Sequence, residues 1–233
     1  MHNLTQHLQS GRTRFASKFM KTSFAQCGED IIVNYIFSLR GLLSPTYIDI
    51  GANHPFFINN TAIFYEKGCR GINIEANPML IGEFNKYRPN DINLNVGISI
   101  EEGESDFFIF EDNTLSTFSK SECDNLQLNG KKLLSIEKVK LTPIENILKK
   151  YFNDQFPDFL SIDVEGLDFT ILQSIDFKRH FPKVICVEVA EYSAIGTGAK
   201  KTDLVDFLIS KGYSEYATTN LNAIMVKNEF WFI

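Results

Sequence analysis

The stretch Thr46-Tyr47-Ile48-Asp49-Ile50-Gly51-Ala52-Asn53 decides the fold class. Its first five residues are β-branched or aromatic apart from one aspartate, which is typical of a short buried strand. The strand runs directly into a glycine, which lets the backbone turn tightly and approach a ligand. An aspartate near the tip of such a strand can accept hydrogen bonds from an ammonium group or from loop amides. The stretch therefore predicts a strand that ends in a ligand-binding turn.

Strands and helices alternate on both sides of this stretch. In chain order the predicted elements are a helix at 26–39, a strand at 46–50, a helix at 58–67, a strand at 71–75, a helix from Pro78, a strand at 91–96, a helix at 143–151, a strand at 159–162, a helix at 168–174, a strand at 183–189, a helix at 202–211, and strands at 213–217 and 223–227. This alternation predicts a mostly parallel sheet with right-handed crossovers. The last two strands, joined by Asn220-Leu221-Asn222, are expected to form an antiparallel hairpin at the sheet edge.

The alternation breaks between residues 99 and 141. Residues 104–110 and 138–141 look like strands, while Glu111-Asp112-Asn113 and Asn129-Gly130 look like turns. A segment of about 40 residues is small for an independent hydrophobic core. We therefore expect one α/β domain over residues 25–233, with a β-rich insertion at 99–141 and an extension at 1–24.

The composition excludes several classes of protein. The chain has 233 residues, of which 44% are apolar and 13% aromatic, so it can bury a sizeable core and is neither disordered nor fibrous. Its net charge is −6, but residues 1–24 carry four basic side chains (Arg12, Arg14, Lys18, Lys21) and no acid. The rest has 19 Lys and Arg against 29 Asp and Glu, a net −10. A general nucleic-acid binder is therefore not expected, because phosphate contacts need concentrated lysine and arginine.

The cysteines and the hydropathy indicate the compartment. The cysteines (Cys27, Cys69, Cys123, Cys186) lie far apart without a CxxC pair, which signals neither a disulfide framework nor a zinc site. No secretory leader or membrane span is expected, and the protein is predicted to be cytoplasmic. The basic extension could touch anionic lipid or a phosphorylated substrate, although a solvated arm is the simpler interpretation.

Acidic residues stand at the ends of predicted parallel strands, where open α/β sheets bind ligands. They are Asp49, Glu75, Asp163 with Glu165, and Glu188 with Glu191. A carboxylate at the tip of the second strand, Glu75, can accept hydrogen bonds from both hydroxyls of a ribose. Alternatively it complements the dipole of the next helix. Only one glycine follows Asp49, so the GxGxxG dinucleotide pattern is absent and a pyrophosphate would lack its close backbone approach.

Two of these strand ends carry pairs of acids. Asp163 and Glu165 share one strand face, and two carboxylates after a buried apolar strand are costly unless they bind something. The alternative is that Asp163 caps the following helix. Glu188 falls inside an apolar run, with Glu191 just beyond it. Together Glu165, Glu188 and Glu191 are expected to form walls of one cleft.

Three blocks of the sequence resemble the FkbM-type methyltransferases, a class I group that uses S-adenosylmethionine. They are Tyr47-Ile48-Asp49-Ile50-Gly51-Ala52-Asn53, Gly71-Ile72-Asn73-Ile74-Glu75-Ala76-Asn77-Pro78 and Ile162-Asp163-Val164-Glu165-Gly166, preceded by the similar lead-in Ser23-Phe24-Ala25-Gln26-Cys27-Gly28-Glu29-Asp30. The likeness runs from about residue 26 to 227 and implies a three-layer, Rossmann-like class I methyltransferase fold. One departure is His54-Pro55, where many members have a second small residue or glycine, and it leaves His54 available for another role.

The resemblance also implies a set of cofactor-binding residues. They are Gln26, Glu29, Asp49, Gly51, Ala52, Asn53, Glu75, Ala76, Asn77, Gly97 and Asp163. Asp49 to Asn53 would line the methionine part of the cofactor and Glu75 would hold its ribose. Asn77 and residues 95–99 would lie by the adenine. Gln26, Glu29 and Asp30 would close over the cofactor from the N-terminal helix.

The expected activity is O-methylation of a hydroxyl on a sugar, a glycan-related acceptor or a natural product, a substrate class that rests on the resemblance. Proton removal from a hydroxyl calls for a general base. Glu165 is the first candidate, with Asp163 and His54 beside it, although a lone histidine is more often structural. Glu188 and Glu191 are assigned to the substrate side.

Other functions stay open at this point. The acids could hold an ammonium ion for N-methylation of a small amine, or the fold could be a catalytically silent binding module or a nicotinamide dehydrogenase. Acids at neighbouring strand ends could also hold a divalent cation such as magnesium, but no metal ligand is predicted.

Overall fold

The computed structural model describes residues 19–164, 166–189 and 202–232. Glu165, Glu191 and most of the basic extension, including Arg12, Arg14 and Lys18, lie outside the described residues. The helices are α1 Glu29–Leu39, α2 Ala62–Glu66, α3 Pro78–Tyr87, α4 Lys120–Leu128, α5 Ile144–Tyr151, α6 Asp168–Ser174, α7 Thr202–Ser210 and α8 Asn228–Trp231. The strands are β1 Tyr47–Ile50, β2 Gly71–Ile74, β3 Ile92–Leu94, β4 Gly97–Ile98, β5 Gly103–Phe110, β6 Leu133–Thr142, β7 Phe159–Ile162, β8 Val184–Glu188, β9 Tyr213–Thr218 and β10 Asn222–Lys227. None of the helices in this part of the chain is long and apolar enough to span a membrane.

Seven strands form the main sheet in the order β3-β2-β1-β7-β8-β10-β9. β1 lies between β2 and β7 and is parallel to both. The chain leaves β1 for β2 and β3 on one side and later returns to β7 and β8 on the other. The carboxyl ends of β1 and β7 therefore flank the point where strand order reverses, the usual ligand position in such sheets. β9 and β10 form the predicted antiparallel hairpin at the edge.

Hydrophobic clusters cover both faces of the sheet. On one face Leu148 of α5, Leu172 of α6 and Leu208 of α7 belong to the same hydrophobic cluster as the sheet residues Ile48 and Ile50. On the other face α1, α2 and α8 pack against the strands through aromatic and aliphatic side chains such as Phe37 and Phe64. Because burial of these apolar stripes needs helices on both sides, the result is three layers. The predicted three-layer α/β fold with a mostly parallel sheet is confirmed.

A row of polar side chains crosses the centre of the sheet on the face of α1 and α2. Asn73, Asp49 and Ser161 each occupy the third position of a four-residue strand, and the parallel register places them side by side. Asn93 extends the row at one end and Cys186 at the other. Polar groups buried at these positions need hydrogen-bond partners. Asp49 and Ser161 find them in the segment that follows β1, whereas Asn73 donates to Asp91 and Asn93.

The β-rich insertion forms a second, three-stranded sheet in the order β4-β6-β5. β6 begins at Leu133, five residues before the predicted strand, and pairs along its length with β5. A helix, α4, lies where none was predicted. Its side chains are mostly polar and only Cys123 and Leu126 are buried, so its amphipathic pattern is weak. The helix is set instead by the Ser119 cap and by packing of those two residues against Phe108 and Phe110 of β5.

Two predicted helices begin later than expected. α1 starts at Glu29, because the preceding segment is folded back: the Ser23 hydroxyl (2.6 Å) and the Phe24 N–H (2.8 Å) both donate to the Asp30 carboxylate. α2 starts only at Ala62 instead of residue 58. Residues 58–61 remain in the loop, where their polar groups contact the sheet.

Candidate functional site

A cavity of about 400 Å³ opens at the carboxyl ends of β1, β2 and β7. This volume is in the range typical of small-molecule and cofactor sites, roughly 300 to 1,000 Å³. The sequence-predicted residues that line it are Gln26, Asp49, Gly51, Ala52, Asn53, Glu75, Ala76, Gly97, Asp163 and Glu188. The structure places Glu29, His54 and Asn77 outside this lining. Within the described ranges, the lining contains no lysine, arginine or histidine.

Gly51 makes the close turn at the tip of β1. Its φ of 78° lies in the left-handed region, and a Cβ at this position would stand 1.8 Å from the carbonyl oxygen of Asp163. Its N–H donates to the carbonyl of Ile74 at 3.0 Å, which ties the turn to the end of β2. Only glycine fits, because any side chain would push β1 and β7 apart.

The loop after Gly51 is strained at two residues. Asn53 and Ile58 have φ values of 54° and 50°, and positive φ is unusual for a β-branched residue. His54 sits inside this loop, where its Nδ1 accepts the N–H groups of Phe56 (3.1 Å) and Phe57 (3.0 Å). The imidazole therefore closes a local turn, which accounts for its position outside the cavity lining.

Asp49 lies in a closed hydrogen-bond network at the back of the cavity. Its Oδ2 accepts the Thr61 hydroxyl (2.8 Å) and the Asn59 side-chain amide (3.2 Å). Burial raises the pKa of Asp49, while hydrogen bonds from Thr61, Ser161 and Asn59 and the charge of Arg88 oppose this. Asp49 thus fixes the loop to the strand at the point where both line the cavity.

Glu75 has both carboxylate oxygens turned toward loop amides. Oε2 accepts the Asn53 N–H and Oε1 the Asn77 N–H, each at 2.7 Å. Burial raises the pKa of Glu75 to about 7, although these two amides favour the charged form. Each carboxylate oxygen can accept more than one hydrogen bond, so the group can still receive two hydroxyls of a ribose.

The insertion closes the end of the cavity beyond Glu75. Phe107 and the segment 113–118 line it, and the ring centroids of Phe107 and Phe118 lie 4.6 Å apart. The side-chain amide of Asn95 donates to the carbonyls of Glu75 and Ala76, both at 2.8 Å. Apolar rings beside backbone and hydroxyl groups can enclose a purine base.

Asn77 lies next to this end without lining it. Its side chain accepts the Met79 N–H at 3.0 Å and so caps α3, and it also donates to Asn113 at 3.3 Å. The residue thus links the start of α3 to the insertion. An approach of this side chain to the adenine stays a prediction.

Asp163 and Glu188 form the acidic side of the cavity. Asp163 is exposed, and its N–H donates to the Ile50 carbonyl at 3.0 Å, which fixes its backbone beside Gly51. At the start of α6, Asp168 accepts the N–H groups of Val164 (3.0 Å) and Gly166 (3.3 Å). Glu188 stands opposite Asn222 in the antiparallel pair of β8 and β10, and both line the cavity.

The N-terminal segment covers the same acidic side. Gln26 lines the cavity. Glu29 is completely buried and accepts hydrogen bonds from the Cys27 N–H (2.9 Å), the Asn222 amide (3.0 Å) and the Thr219 hydroxyl. Glu29 thus fastens the start of α1 to β10, and it is Gln26 rather than Glu29 that reaches the cavity.

Several cavity residues were not predicted from the sequence. They are Asn59, Asn60, Ser161 and Asn222, together with the segment 113–118. A usable signal was present for Ser161, which is a polar residue within an otherwise apolar four-residue strand. For Asn59 and Asn60 the only signal was the run Asn59-Asn60-Thr61 before α2, which predicts a helix cap rather than a cavity wall.

No group of three or more His, Cys, Asp or Glu side chains in residues 19–164, 166–189 and 202–232 is arranged to hold a metal ion. The described lining at the switch point has carboxylates and no basic side chain that would bind a phosphate, and this fits a cationic nucleoside cofactor. The glycine cradle at Gly51, the buried Glu75 and the lining without basic residues suit a sulfonium with a ribose better than a pyrophosphate.

The sheet order, the switch-point cavity and the glycine turn define a class I methyltransferase fold. Residues 49–215 match the family described as the methyltransferase FkbM domain, which is more than half of the chain. The protein belongs to the FkbM methyltransferase family and is an S-adenosylmethionine-dependent methyltransferase.

Solved structures of other methyltransferases are similar over most of the chain. A Staphylococcus aureus protein described provisionally as a caffeoyl-CoA O-methyltransferase is 11% identical and has a TM-score of 0.49, covering 97% of this chain and 96% of its own. A TehB-like SAM-dependent methyltransferase from Corynebacterium glutamicum is 10% identical, with a TM-score of 0.44 and coverage of 97% and 99%. An O-methyltransferase from Bacillus cereus in complex with S-adenosylhomocysteine is 12% identical, with a TM-score of 0.40 and coverage of 97% and 91%. No curated protein matches the sequence. Similarity at this level says nothing about the acceptor.

Proposed function

We propose that the protein transfers a methyl group from S-adenosylmethionine to a hydroxyl oxygen of a sugar, a glycan-related polyol or a natural product of similar polarity. The observation that carries the proposal is the lining opposite Glu75, which combines the carboxylates of Asp163 and Glu188 with the amides of Gln26, Asn60 and Asn222. Such groups accept and donate hydrogen bonds to neutral hydroxyls. An anionic acceptor group would meet two carboxylates there and, in the described lining, no basic side chain.

The cofactor would extend along the three strand ends. Asp49, Gly51, Ala52 and Asn53 would hold its methionine part, Glu75 its ribose, and Ala76 and Gly97 its adenine, with Gln26 covering the opposite end. All of these residues line the cavity. The two amide contacts of Glu75 support its assignment, because they hold the carboxylate in one orientation before a ligand arrives.

The bound cofactor supplies an electrophilic methyl carbon on a sulfonium. The residues of the chain must hold an acceptor oxygen in line with it and take the hydroxyl proton. Positioning can contribute about 7 to 11 kcal/mol, whereas a general base contributes about 10²- to 10⁴-fold in rate. We assign the base to Asp163, because its backbone is fixed by Ile50 and its exposed side chain lines the cavity. Glu165 remains the alternative base predicted from the sequence.

A methyl-transfer assay tests the proposal. Purified protein is incubated with S-adenosylmethionine and either neutral polyols or small amines, and product mass and S-adenosylhomocysteine are both measured. We expect methylated hydroxyl acceptors, and a kcat about 10²- to 10⁴-fold lower for Asp163→Asn. The Kd of that variant for S-adenosylhomocysteine separates the two roles predicted for Asp163: an unchanged Kd supports the general base, and a raised Kd supports a contact with the cofactor.

The rival with an observation in its favour is N-methylation of a small amine, because Asp163 and Glu188 could hold an ammonium ion. Methylation of amines with no product from any hydroxyl acceptor would overturn the O-methyl assignment and support the rival.

The cytoplasm is the proposed location. All four cysteines are free, and Cys69, Cys123 and Cys186 are buried. Free thiols are usual in a reducing compartment, and this supports the expectation from the sequence.

A further inference from the structure

Arg88 is a completely buried cation just beyond the C-terminus of α3. It does not line the cavity. Its Nε donates to Asp91 Oδ2 at 3.0 Å, and its Nη2 donates to the Tyr47 hydroxyl at 3.1 Å. Asp91 is itself held by the Gly71 N–H and the Asn73 amide, both at 3.0 Å. One side of the guanidinium is therefore anchored to β1, β2 and the start of β3.

The other side of Arg88 binds the loop that follows β1. Nη1 donates to the carbonyl of Pro55 (3.3 Å) and to Asn59 Oδ1 (3.1 Å), and Nη2 donates to Thr61 Oγ1 (3.0 Å). Pro55 lies in the middle of the loop, Asn59 lies near its end, and Thr61 immediately precedes α2. Only a planar fork with five N–H donors can reach all of them together with Asp91.

The loop partners of Arg88 lead directly to the cavity. The Thr61 hydroxyl donates to Asp49 at 2.8 Å. The Asn59 amide donates to Asp49 at 3.2 Å and to the Ala52 carbonyl at 3.1 Å. Asp49 and Ala52 both line the cavity. Arg88 thus contacts one cavity residue, Asn59, directly and reaches Asp49 and Ala52 through one intervening residue.

The same loop is strained, since Asn53 and Ile58 both have positive φ. Positive φ is unfavourable for a β-branched residue such as Ile58 and persists only where surrounding contacts hold it. The contacts of Arg88 with Pro55 and Asn59 lie on both sides of Ile58. These buried contacts help to hold the loop in this conformation.

We propose that Arg88 is a positioning residue that preorganises the cofactor loop, so that its loss weakens cofactor binding rather than the methyl-transfer step. The inference rests on the proposed location of the cofactor along Asp49 to Asn53 and is independent of the acceptor. It assigns Arg88 no contact with cofactor or substrate.

Two variants test the inference by titration with S-adenosylhomocysteine. Thr61→Val keeps the side-chain shape but removes one of the two links between Arg88 and Asp49, leaving the link through Asn59. The pair Arg88→Met/Asp91→Asn removes both charges together, because a lone Asp91 would be left buried without its cation. We expect the Kd for S-adenosylhomocysteine to rise about tenfold or more in each. The KM for S-adenosylmethionine should rise with it and kcat should change less. Arg88→Lys keeps the positive charge but not the planar fork, and its Kd for S-adenosylhomocysteine should also be raised.

Tyr213→Phe is the matched control, since it removes one buried hydrogen bond, to the Pro182 carbonyl at 2.7 Å, far from the loop. It should lower the melting temperature without changing the Kd. A folded Arg88→Met/Asp91→Asn variant that binds S-adenosylhomocysteine as tightly as wild type overturns the inference whatever Thr61→Val does, because only this variant removes every contact of Arg88 with the loop. Wild-type protein that binds no S-adenosylhomocysteine overturns it together with the cofactor site, whereas binding without hydroxyl methylation counts only against the proposed acceptor.

Discussion

Burial of the Glu75 carboxylate lowers the stability of the fold when the group is charged, but the charged group can bind hydroxyls. Its pKa of about 7 in the fold lies above its ordinary value of 4.5, because burial outweighs the two backbone amides. Between these two values the folded protein binds more protons than the unfolded chain. The contribution of Glu75 to the free energy of unfolding is therefore greatest at low pH and falls as the pH rises from about 4.5 to about 7. The charged form that costs stability is the form that can accept hydroxyls.

The affinity for S-adenosylhomocysteine should accordingly rise with pH through about 7. Below that pKa, proton release from Glu75 must accompany binding, so the affinity should fall by up to about tenfold per pH unit. Isothermal titration one unit either side of this pKa measures the change. In Glu75→Gln the affinity should be lower throughout and this rise should be absent. An unchanged affinity in Glu75→Gln would remove the ribose assignment.

Among the elements, the insertion supplies one wall of the cavity through Phe107 and the segment 113–118. β4 and the segment 113–118 both line the cavity, with Gly97 packed against the ring of Phe118. A Cβ at Gly97 would lie 2.6 Å from this ring and 2.7 Å from the side chain of Leu141. The absence of a side chain at this position is what lets the insertion pack closely against β4.

Gly97→Ala should therefore weaken S-adenosylhomocysteine binding and lower stability, by about 1 to 3 kcal/mol as for other overpacked sites. Denaturant unfolding and ligand titration measure the two effects. Gly103→Ala is the matched control, because a Cβ there has no neighbour within 4 Å. If both variants behave like wild type, the insertion does not form that end of the cofactor site.

Across the whole molecule, the cavity joins segments that are far apart in the chain. Gln26, Glu75, Asp163 and Asn222 all contribute to it. A ligand that binds them together favours the folded state over the unfolded chain, because the unfolded chain does not keep them close. Ligand binding should therefore stabilise the domain as one unit.

Saturation with S-adenosylhomocysteine at 100 times its Kd should add about 2.7 kcal/mol to the free energy of unfolding. For a chain of this size the melting temperature should rise by about 5 to 10 °C, as measured by differential scanning fluorimetry. NADH should produce no shift. A shift with NADH alone would favour a dehydrogenase, and no shift with either ligand would favour a binding module without a cofactor.

The sequence by itself determined the alternation of strands and helices, the antiparallel edge hairpin, and which strand ends carry acids. These features depend on local pattern, and the family resemblance added the identity of the cofactor. Helix α4 was not predicted, because its position is set by the buried residues Cys123 and Leu126 and the Ser119 cap rather than by a long apolar stripe.

Only the tertiary structure decided how the polar groups are paired. Asp168 accepts hydrogen bonds from the turn after β7, His54 closes its own loop, and Glu29 is bound to β10. The row formed by Asn73, Asp49 and Ser161 exists because three short strands share one register. Such pairings join residues up to 193 positions apart, as between Glu29 and Asn222. The local pattern of a sequence fixes which groups are polar, but burial and strand register fix which partner each one meets.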